Sequence, residues 1–400
     1  MAVFRLLDGR RPTSAPAPDG IDRRRPAATG TAAVFVLGLL LLAAAGGCGD
    51  DGEPPADRSD AAGVAPVSGD DPATSNWGND SVSALVVTHG GVGSPPDWSP
   101  ACQDAADRGA AAGGSALDMA TAAVVVMEDE PRFNAGTGAN IRLDGRTIQM
   151  DAAVMTSDGD FGAVAVIERV QNPVLVARAV KETPHLLLAG EGATRFAHRR
   201  GFPDVVPTAE VAVEKARKRV AALLRGEGSE GFETFDWRAA WNYPGPPPDS
   251  SLVAPEAGPV ESGPGDTVGA VSRAADGSFA AALSTGGTSL TLYGRVGDVP
   301  VYACGCYAGP AGAVACTGFG EEIIRHTMAR TVYEVMAEGR SAREAVHAGV
   351  TLFDEQHSLG VIAVGSQDWA VAANRSMAWG AAAVDSTDGP ARDRGEPTRN

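Results

Sequence analysis

The sequence predicts an α+β fold, and three observations predict it. Short β-prone runs come in pairs about tight turns, as Val268 to Val271 and Phe279 to Ser284 do about Asp276-Gly277. Longer runs with apolar residues at helical spacing lie between those pairs. The chain of 400 residues is 44% hydrophobic and 21% charged, which suits a globular body with a large core, in one large domain or two smaller ones.

Residues 1–48 read as an address rather than as fold. Arg23-Arg24-Arg25 precede an apolar run from Ala32 to Ala45, shorter than the about 20 residues that span a bilayer. The run ends in Ala45-Gly46-Gly47-Cys48 and resembles a bacterial lipobox, which makes Cys48 the lipidated mature N-terminus. The alternative is a plain secretory signal, and the arginines alone are a weak twin-arginine motif. Both readings expect an exported protein, and the lipobox reading expects a membrane-anchored one. Residues 49–80, rich in Asp, Pro, Ala, Gly and Ser, suit a disordered tether.

The body opens with a buried strand, Ser83 to Thr88, which is expected to stop at the turn His89-Gly90-Gly91-Val92-Gly93. His89 is read as a structural histidine at a strand end, with a catalytic role as the alternative. Leu117, Ala120, Val124 and Met127 recur at helical spacing and predict a helix over Ala116 to Met127. The loop Glu128 to Gly138 follows. Its glycines suit an ion-binding loop or a close approach to a nucleophile, and a plain surface turn is the bland alternative. Thr147 to Val154 and Gly162 to Ile167 alternate like hairpin strands, with Met150-Asp151-Ala152 between polar turns. Pro173 to Lys181 and Thr208 to Leu224 read as helices, the second with a solvated charged face.

From Gly226 to Gly265 the pattern dissolves into Gly, Ser, Glu and Pro, a linker or functional stretch that ends at Thr267. Beyond the hairpin already noted lie the loop Gly294 to Asp298, a hairpin carrying Cys304, Cys306 and Cys316, and helices over Glu322 to Glu338 and Ala342 to Phe353. Strands near Val361 to Val364 and Ala370 to Asn374 close the fold, and residues past about Asp385 read as a disordered tail. A net charge of −17 argues against nucleic acid or an anionic membrane surface as partner. In an oxidising compartment, a disulfide from Cys316 to Cys304 or Cys306 is plausible, with Cys102 elsewhere. A zinc site is disfavoured because the cluster lacks histidine and paired C-x-x-C spacing.

The chemistry centres on Gly265-Asp266-Thr267-Val268-Gly269-Ala270. An internal threonine hydroxyl is a poor nucleophile, but at a chain N-terminus its own amine, with an ordinary pKa of about 8, serves as the base. An acidic residue before Thr267, a glycine two residues after it and the hydroxyl motif Ser284-Thr285-Gly286-Gly287 therefore suggest a precursor that cuts itself at Asp266-Thr267. Arg295 and Asp298, three residues apart in a glycine-bounded loop, could hold the anion and cation of an α-amino acid head. A surface ion pair is the bland reading of the same two residues.

His89 to Gly93, Glu128 to Gly138, Gly265 to Ala270, Ser284 to Gly287, Gly294 to Asp298 and Thr317-Gly318 occur in one order. Together they resemble the plant-type asparaginase and isoaspartyl peptidase family of N-terminal nucleophile hydrolases, over about Ser83 to Gly380. The resemblance implies a four-layer αββα sandwich, cut into an α chain (81–266, with 226–266 as linker) and a β chain (267–385) that stay together, and usually a pair of such αβ units. It implies that Thr267 is the nucleophile, that Thr285 and Thr317 assist it and line the oxyanion region with the Gly318 amide, and that Asn134 positions the Thr267 amine. Arg295 would grip the substrate α-carboxylate. Asp298, helped by the Gly320 backbone, would receive the α-ammonium. Catalysis would need no cofactor. The main-chain carbonyls of Met127, Glu128, Glu130, Phe133, Ala135 and Thr137 would hold a structural sodium ion.

The run Tyr302 to Gly309, the long proline-rich linker and the lipoprotein address depart from the family pattern. The activity implied is hydrolysis of L-asparagine and β-aspartyl dipeptides to L-aspartate. The alternatives are a glycosylasparaginase, against which Gly286 counts, and an amino-acid-binding lipoprotein that has lost turnover.

Overall fold

A computed structural model describes residues 76–78, 84–227, 235–248, 267–354 and 356–384. The expected address with Cys48, nearly all of the tether, Asp266 and the tail from 385 lie outside these. The elements are β1 (Asn76–Gly78), β2 (Ala84–Val92), α1 (Ser99–Ala112), α2 (Ala116–Asp129), β3 (Met150–Thr156), β4 (Phe161–Ile167), α3 (Pro173–Lys181), β5 (Leu187–Ala189), α4 (Gly190–Arg199) and α5 (Glu210–Leu224). After them come β6 (Val268–Arg273), β7 (Phe279–Thr285), β8 (Cys306–Gly309), β9 (Gly312–Gly318), α6 (Gly320–Arg325), α7 (Met328–Ala337), α8 (Ala342–Thr351), β10 (Leu359–Gly365), β11 (Trp369–Ala373) and β12 (Met377–Val384).

The strands form two sheets, one ordered β1-β11-β10-β9-β8 and the other β12-β2-β6-β7-β3-β4-β5. Neighbours pair antiparallel except β4 with β5. Adjacent residues of one strand feed different cores, as the two-residue period of a strand requires. Leu85, Val87, Val271 and Leu283 meet Ala313, Ala315, Ile362 and Val364 of the other sheet. Val86, Ala270 and Ala282 pack with Ala105, Val124 and Met127 of α1 and α2. Val314, Val361 and Ala363 pack with Val332 and Val346 of α7 and α8. Strands buried on both faces read as continuous apolar runs, which explains why simple alternation is weak in this sequence. The fold is α+β, as the sequence predicts.

Several expectations change. Strand β2 does not stop at His89 but continues through both glycines to Val92. A side chain at Gly90 would lie 2.6 Å from a Phe133 ring carbon and 3.0 Å from the Cys102 sulfur. That glycine serves a close approach of Phe133, not a turn. The helix expected over Glu322 to Glu338 breaks in two at Thr327, whose φ of 43° is left-handed. Helix α1 had no signal because its buried face is Cys102, Ala105, Ala106, Gly109 and Ala110, residues too small to stand out from their polar neighbours. The edge pair β5 and α4 and the last strand β12 were likewise not expected.

Residues 76–78, assigned to the tether, pair with β11 as a strand. Part of the expected linker is packed: Trp237 and Tyr243 are buried against Leu143, Val220, Leu223 and Leu290. The expected disulfide is not formed, and Cys102, Cys304, Cys306 and Cys316 are buried free thiols. Cys306 lies opposite Ala315, one residue from Cys316. Cys306 therefore faces the core between the sheets and Cys316 faces α7 and α8. Two side chains on opposite faces of a hairpin cannot bridge without moving the backbone. Burial pushes the Cys306 thiol up to about 12.

Candidate active site

Thr267 is buried immediately before β6, the strand between β2 and β7 in its sheet. Val268 pairs with Ser284, so one further step of the register sets Thr267 across from Thr285 at the end of β7. From the other sheet, the Thr317 hydroxyl accepts a hydrogen bond from Val92 N–H at the end of β2 (3.3 Å). The hydroxyls singled out from the sequence therefore come together at adjoining ends of β2, β6, β7 and β9.

The turn after Thr285 is tightly tied. Gly287 N–H donates to Thr285 Oγ1 (2.9 Å), and Gly286 N–H donates to the Asn134 carbonyl (2.9 Å). Asn134 Nδ2 donates to the Gly287 carbonyl (2.9 Å), and its Oδ1 accepts from Asn140 N–H (2.8 Å). Asn134 is thus a brace on the hydroxyl motif. A side chain at Gly286 would lie 2.5 Å from Asn134 Oδ1, which is why glycine stands there.

Gly318 has φ 143°, and a Cβ on it would lie 2.1 Å from the Ser358 carbonyl, so its amide is presented by a backbone only glycine adopts readily. Arg295 makes a two-pronged ion pair with Glu321 (Nε to Oε1 3.1 Å, Nη2 to Oε2 2.9 Å), and Asp298 is buried beside it. A Cβ on Gly320 would lie 2.9 Å from Asp298 Oδ1 and 3.0 Å from Arg295 Nη2. The expected cation and anion therefore flank one point. Gly320→Ala puts a methyl group there, and KM is expected to rise about tenfold while the fold and self-cleavage persist. Steady-state kinetics beside a denaturing gel checks this.

His89, read as structural, sits against the nucleophile's strand. A Cβ at Gly269 would lie 2.4 Å from His89 Nε2. Neither ring nitrogen is in hydrogen-bond geometry with a described residue, although the Thr267 main chain is close. Burial drives its pKa down to about 3, with the Thr267 backbone opposing. Because the folded value is below the unfolded one, the unfolded chain takes the proton first as pH falls. Stability is whole above about pH 6.5 and is lost toward pH 3. Thermal unfolding from pH 7.5 to 5 should cost the wild type about 2 kcal/mol more than His89→Gln. Equal slopes would show that His89 takes up its proton in the folded state.

In the loop after α2, glycines let the chain pass close to main-chain carbonyl oxygens. A Cβ at Gly136 would lie 2.4 Å from the Glu128 carbonyl, and one at Gly138 would lie 2.1 Å from the Phe133 carbonyl. Main-chain oxygens are the donor type an oxygen-liganded cation takes, so the residues present fit the expected ion in chemistry. Met127, Glu128, Phe133 and Ala135 are buried, while Glu130 and Thr137 are partly exposed. Nothing in the sequence singles out the Glu128 side chain. It is fully buried, its Oε1 accepts from Val174 N–H (3.0 Å) at the start of α3, and burial pushes it up to about 8. The Ser284 hydroxyl is close but outside hydrogen-bond geometry. Nor did the sequence single out Arg142 and Gln149, which lie buried behind the loop of Arg295.

A buried threonine at the start of a strand, a second threonine across from it and an arginine and an aspartate flanking one glycine form an arrangement that suits an amidohydrolase of the N-terminal nucleophile class. Comparison with known proteins carries the assignment further. A family model described as asparaginase matches residues 98–389, and the chain belongs to that family. It is 40% identical over 259 residues to a plant-type L-asparaginase of Pyrococcus furiosus, covering 63% of this chain and 78% of that protein. It is 37% identical over 317 residues to an isoaspartyl peptidase/L-asparaginase of Danio rerio, covering 74% of this chain and 92% of that one. An isoaspartyl peptidase of Salmonella typhimurium is 41% identical over 233 residues, 57% of this chain and 66% of its own length.

Proposed function

We propose that the chain cuts itself between Asp266 and Thr267 and then hydrolyses L-asparagine and β-aspartyl dipeptides, releasing L-aspartate. The observation that carries this is the meeting of Arg295 and Asp298 at Gly320, in the chain whose Thr267 opens β6 beside Thr285. The names of the similar proteins favour this reading over a glycosylasparaginase or a binding protein without turnover.

In the reaction, the freed amine of Thr267 takes the proton from its own hydroxyl, and the oxygen attacks the side-chain carbonyl of the substrate. The Thr285 and Thr317 hydroxyls and the Gly318 amide stabilise the oxyanion. Collapse expels ammonia or an amino acid, which leaves with the proton held by the amine. Water then attacks the acyl ester, and L-aspartate departs as Thr267 regains its hydrogen. Arg295 holds the α-carboxylate and Asp298, with the Gly320 backbone, the α-ammonium. Asn134 positions the Thr267 amine from the turn it braces.

Further parts of the same reading are that the two sheets and their flanking helices form the αββα sandwich, that two αβ units pair, and that the enzyme is exported and anchored through lipid on Cys48. The carbonyls of Met127, Glu128, Glu130, Phe133, Ala135 and Thr137 would hold a sodium ion, which supplies structural support to the loop bearing Asn134. Assay of the mature protein against L-asparagine, a β-aspartyl dipeptide and glycosylated asparagine tests the function. Turnover of the first two is expected, and preference for the third would refute it.

A further inference from the structure

The loop that bears Arg295 and Asp298 has no regular secondary structure between β7 and β8, yet it must hold a cation and an anion at a fixed spacing. Three buried groups outside the loop tie its backbone. Gly294 N–H donates to Gln149 Oε1 (2.8 Å). The Arg295 carbonyl accepts from Arg142 Nη2 (3.3 Å). Gly297 N–H donates to Asp151 Oδ2 (3.2 Å).

The cost of this arrangement is visible. Arg142 is among the largest fully buried side chains, and Asp151 is also wholly buried. Burying two ions is expensive unless they are paired and hydrogen-bonded. Here each charge counters the other's desolvation. Arg142 Nη1 donates to Thr291 Oγ1 (2.5 Å) and Nη2 also donates to the Gln149 carbonyl (2.9 Å). Asp151 Oδ1 accepts from Val166 N–H (2.7 Å), and Val166 holds φ 45°, a conformation strained for a β-branched residue. The pairing of β3 with β4 shifts register between Met150 and Ala152, so that Asp151 sits in the irregularity. Strain and buried charge gathered at one point are a mark of a positioned site.

We infer that Gln149, Asp151 and Arg142 form a clamp that sets the spacing of Arg295 and Asp298 and so determines how tightly the α-amino acid head of the substrate is held. They are positioning residues, acting through the loop. The clamp rests on the reading of Arg295 and Asp298 given above. It acts on the substrate head rather than on Thr267, so its loss should weaken binding more than it slows chemistry.

The test uses the self-cleaved full chain, with L-aspartate binding measured by calorimetry and L-asparagine hydrolysis by steady-state kinetics. In Arg142→Met, KM and the L-aspartate Kd should rise about tenfold with kcat within about threefold, and Arg142→Lys should recover part of the loss. Gln149→Ala removes only the tie to Gly294, so it keeps the test open if Arg142→Met does not fold. Its KM should rise about threefold with normal cleavage bands. Unchanged KM in Gln149→Ala, or kcat falling while KM and Kd stay constant, would overturn the clamp. A wild type that binds no L-aspartate would instead remove the reading of Arg295 and Asp298, and the clamp with it.

Discussion

Thr267→Ala is expected to leave a single uncut chain without hydrolytic activity. The wild type should split on a denaturing gel into a larger and a smaller fragment, the smaller beginning Thr-Val-Gly-Ala. The same hydroxyl is asked to act twice, first on the peptide bond that precedes it and then on substrate, and only the first event creates the amine that serves as base. Loss of a nucleophile costs at least about 10³-fold in rate, and here the blocked N-terminus removes the base as well. Thr267→Ser separates the two demands, because serine keeps the hydroxyl and loses only the methyl group. It should cut and turn over, more slowly than the wild type. An uncut wild-type chain that nonetheless hydrolyses L-asparagine would end the self-cleavage proposal. Thr267 is buried immediately before β6, so truncation to alanine should cost about 1 kcal/mol of stability and leave the chain folded.

Arg295→Ala is expected to raise KM for L-asparagine by about 10² to 10³-fold, corresponding to the roughly 3–4 kcal/mol of truncating one side of a buried charge contact. The guanidinium is largely covered and already engages a carboxylate, that of Glu321, in fork geometry. An incoming α-carboxylate would share or replace that partner. The contact belongs to ground state and transition state alike, so kcat should fall much less than KM rises. Arg295→Lys should recover little, because an ammonium cannot reproduce a two-pronged contact. Glu321→Gln is the useful companion: it removes the competing carboxylate and should lower KM or leave it unchanged. A KM in Arg295→Ala equal to that of the wild type would show that the carboxylate is held elsewhere.

Much of this candidate site is legible in the sequence alone. Thr267, Thr285, Thr317, Arg295 and Asp298 are each carried by short motifs rich in glycine, and local backbone demands leave such motifs in sequence. The hairpins β3-β4, β6-β7 and β8-β9 were legible for the same reason, their turn residues being local. The boundary at Val92 was not legible, because a glycine needed for a turn and one needed beneath the Phe133 ring are written with the same letter. Helix α1 escaped because its alanine face is made to fit close under β2 and β12, and that need arises only once those strands are in place.

The sequence by itself determined the α+β class, the family and the short motifs that hold Thr267, Thr285, Thr317, Arg295 and Asp298, since each depends on contacts a few residues long or on motif order. Only the tertiary structure decided that Cys306 and Cys316 face opposite cores and stay unbridged, that His89 is sealed against Gly269, and that Arg142 and Asp151 stand buried behind Arg295. The physical reason is that burial and partnership are properties of where distant segments meet. Asp151 and Gly297 are 146 residues apart, and no local pattern records that one carboxylate will hold the other's amide.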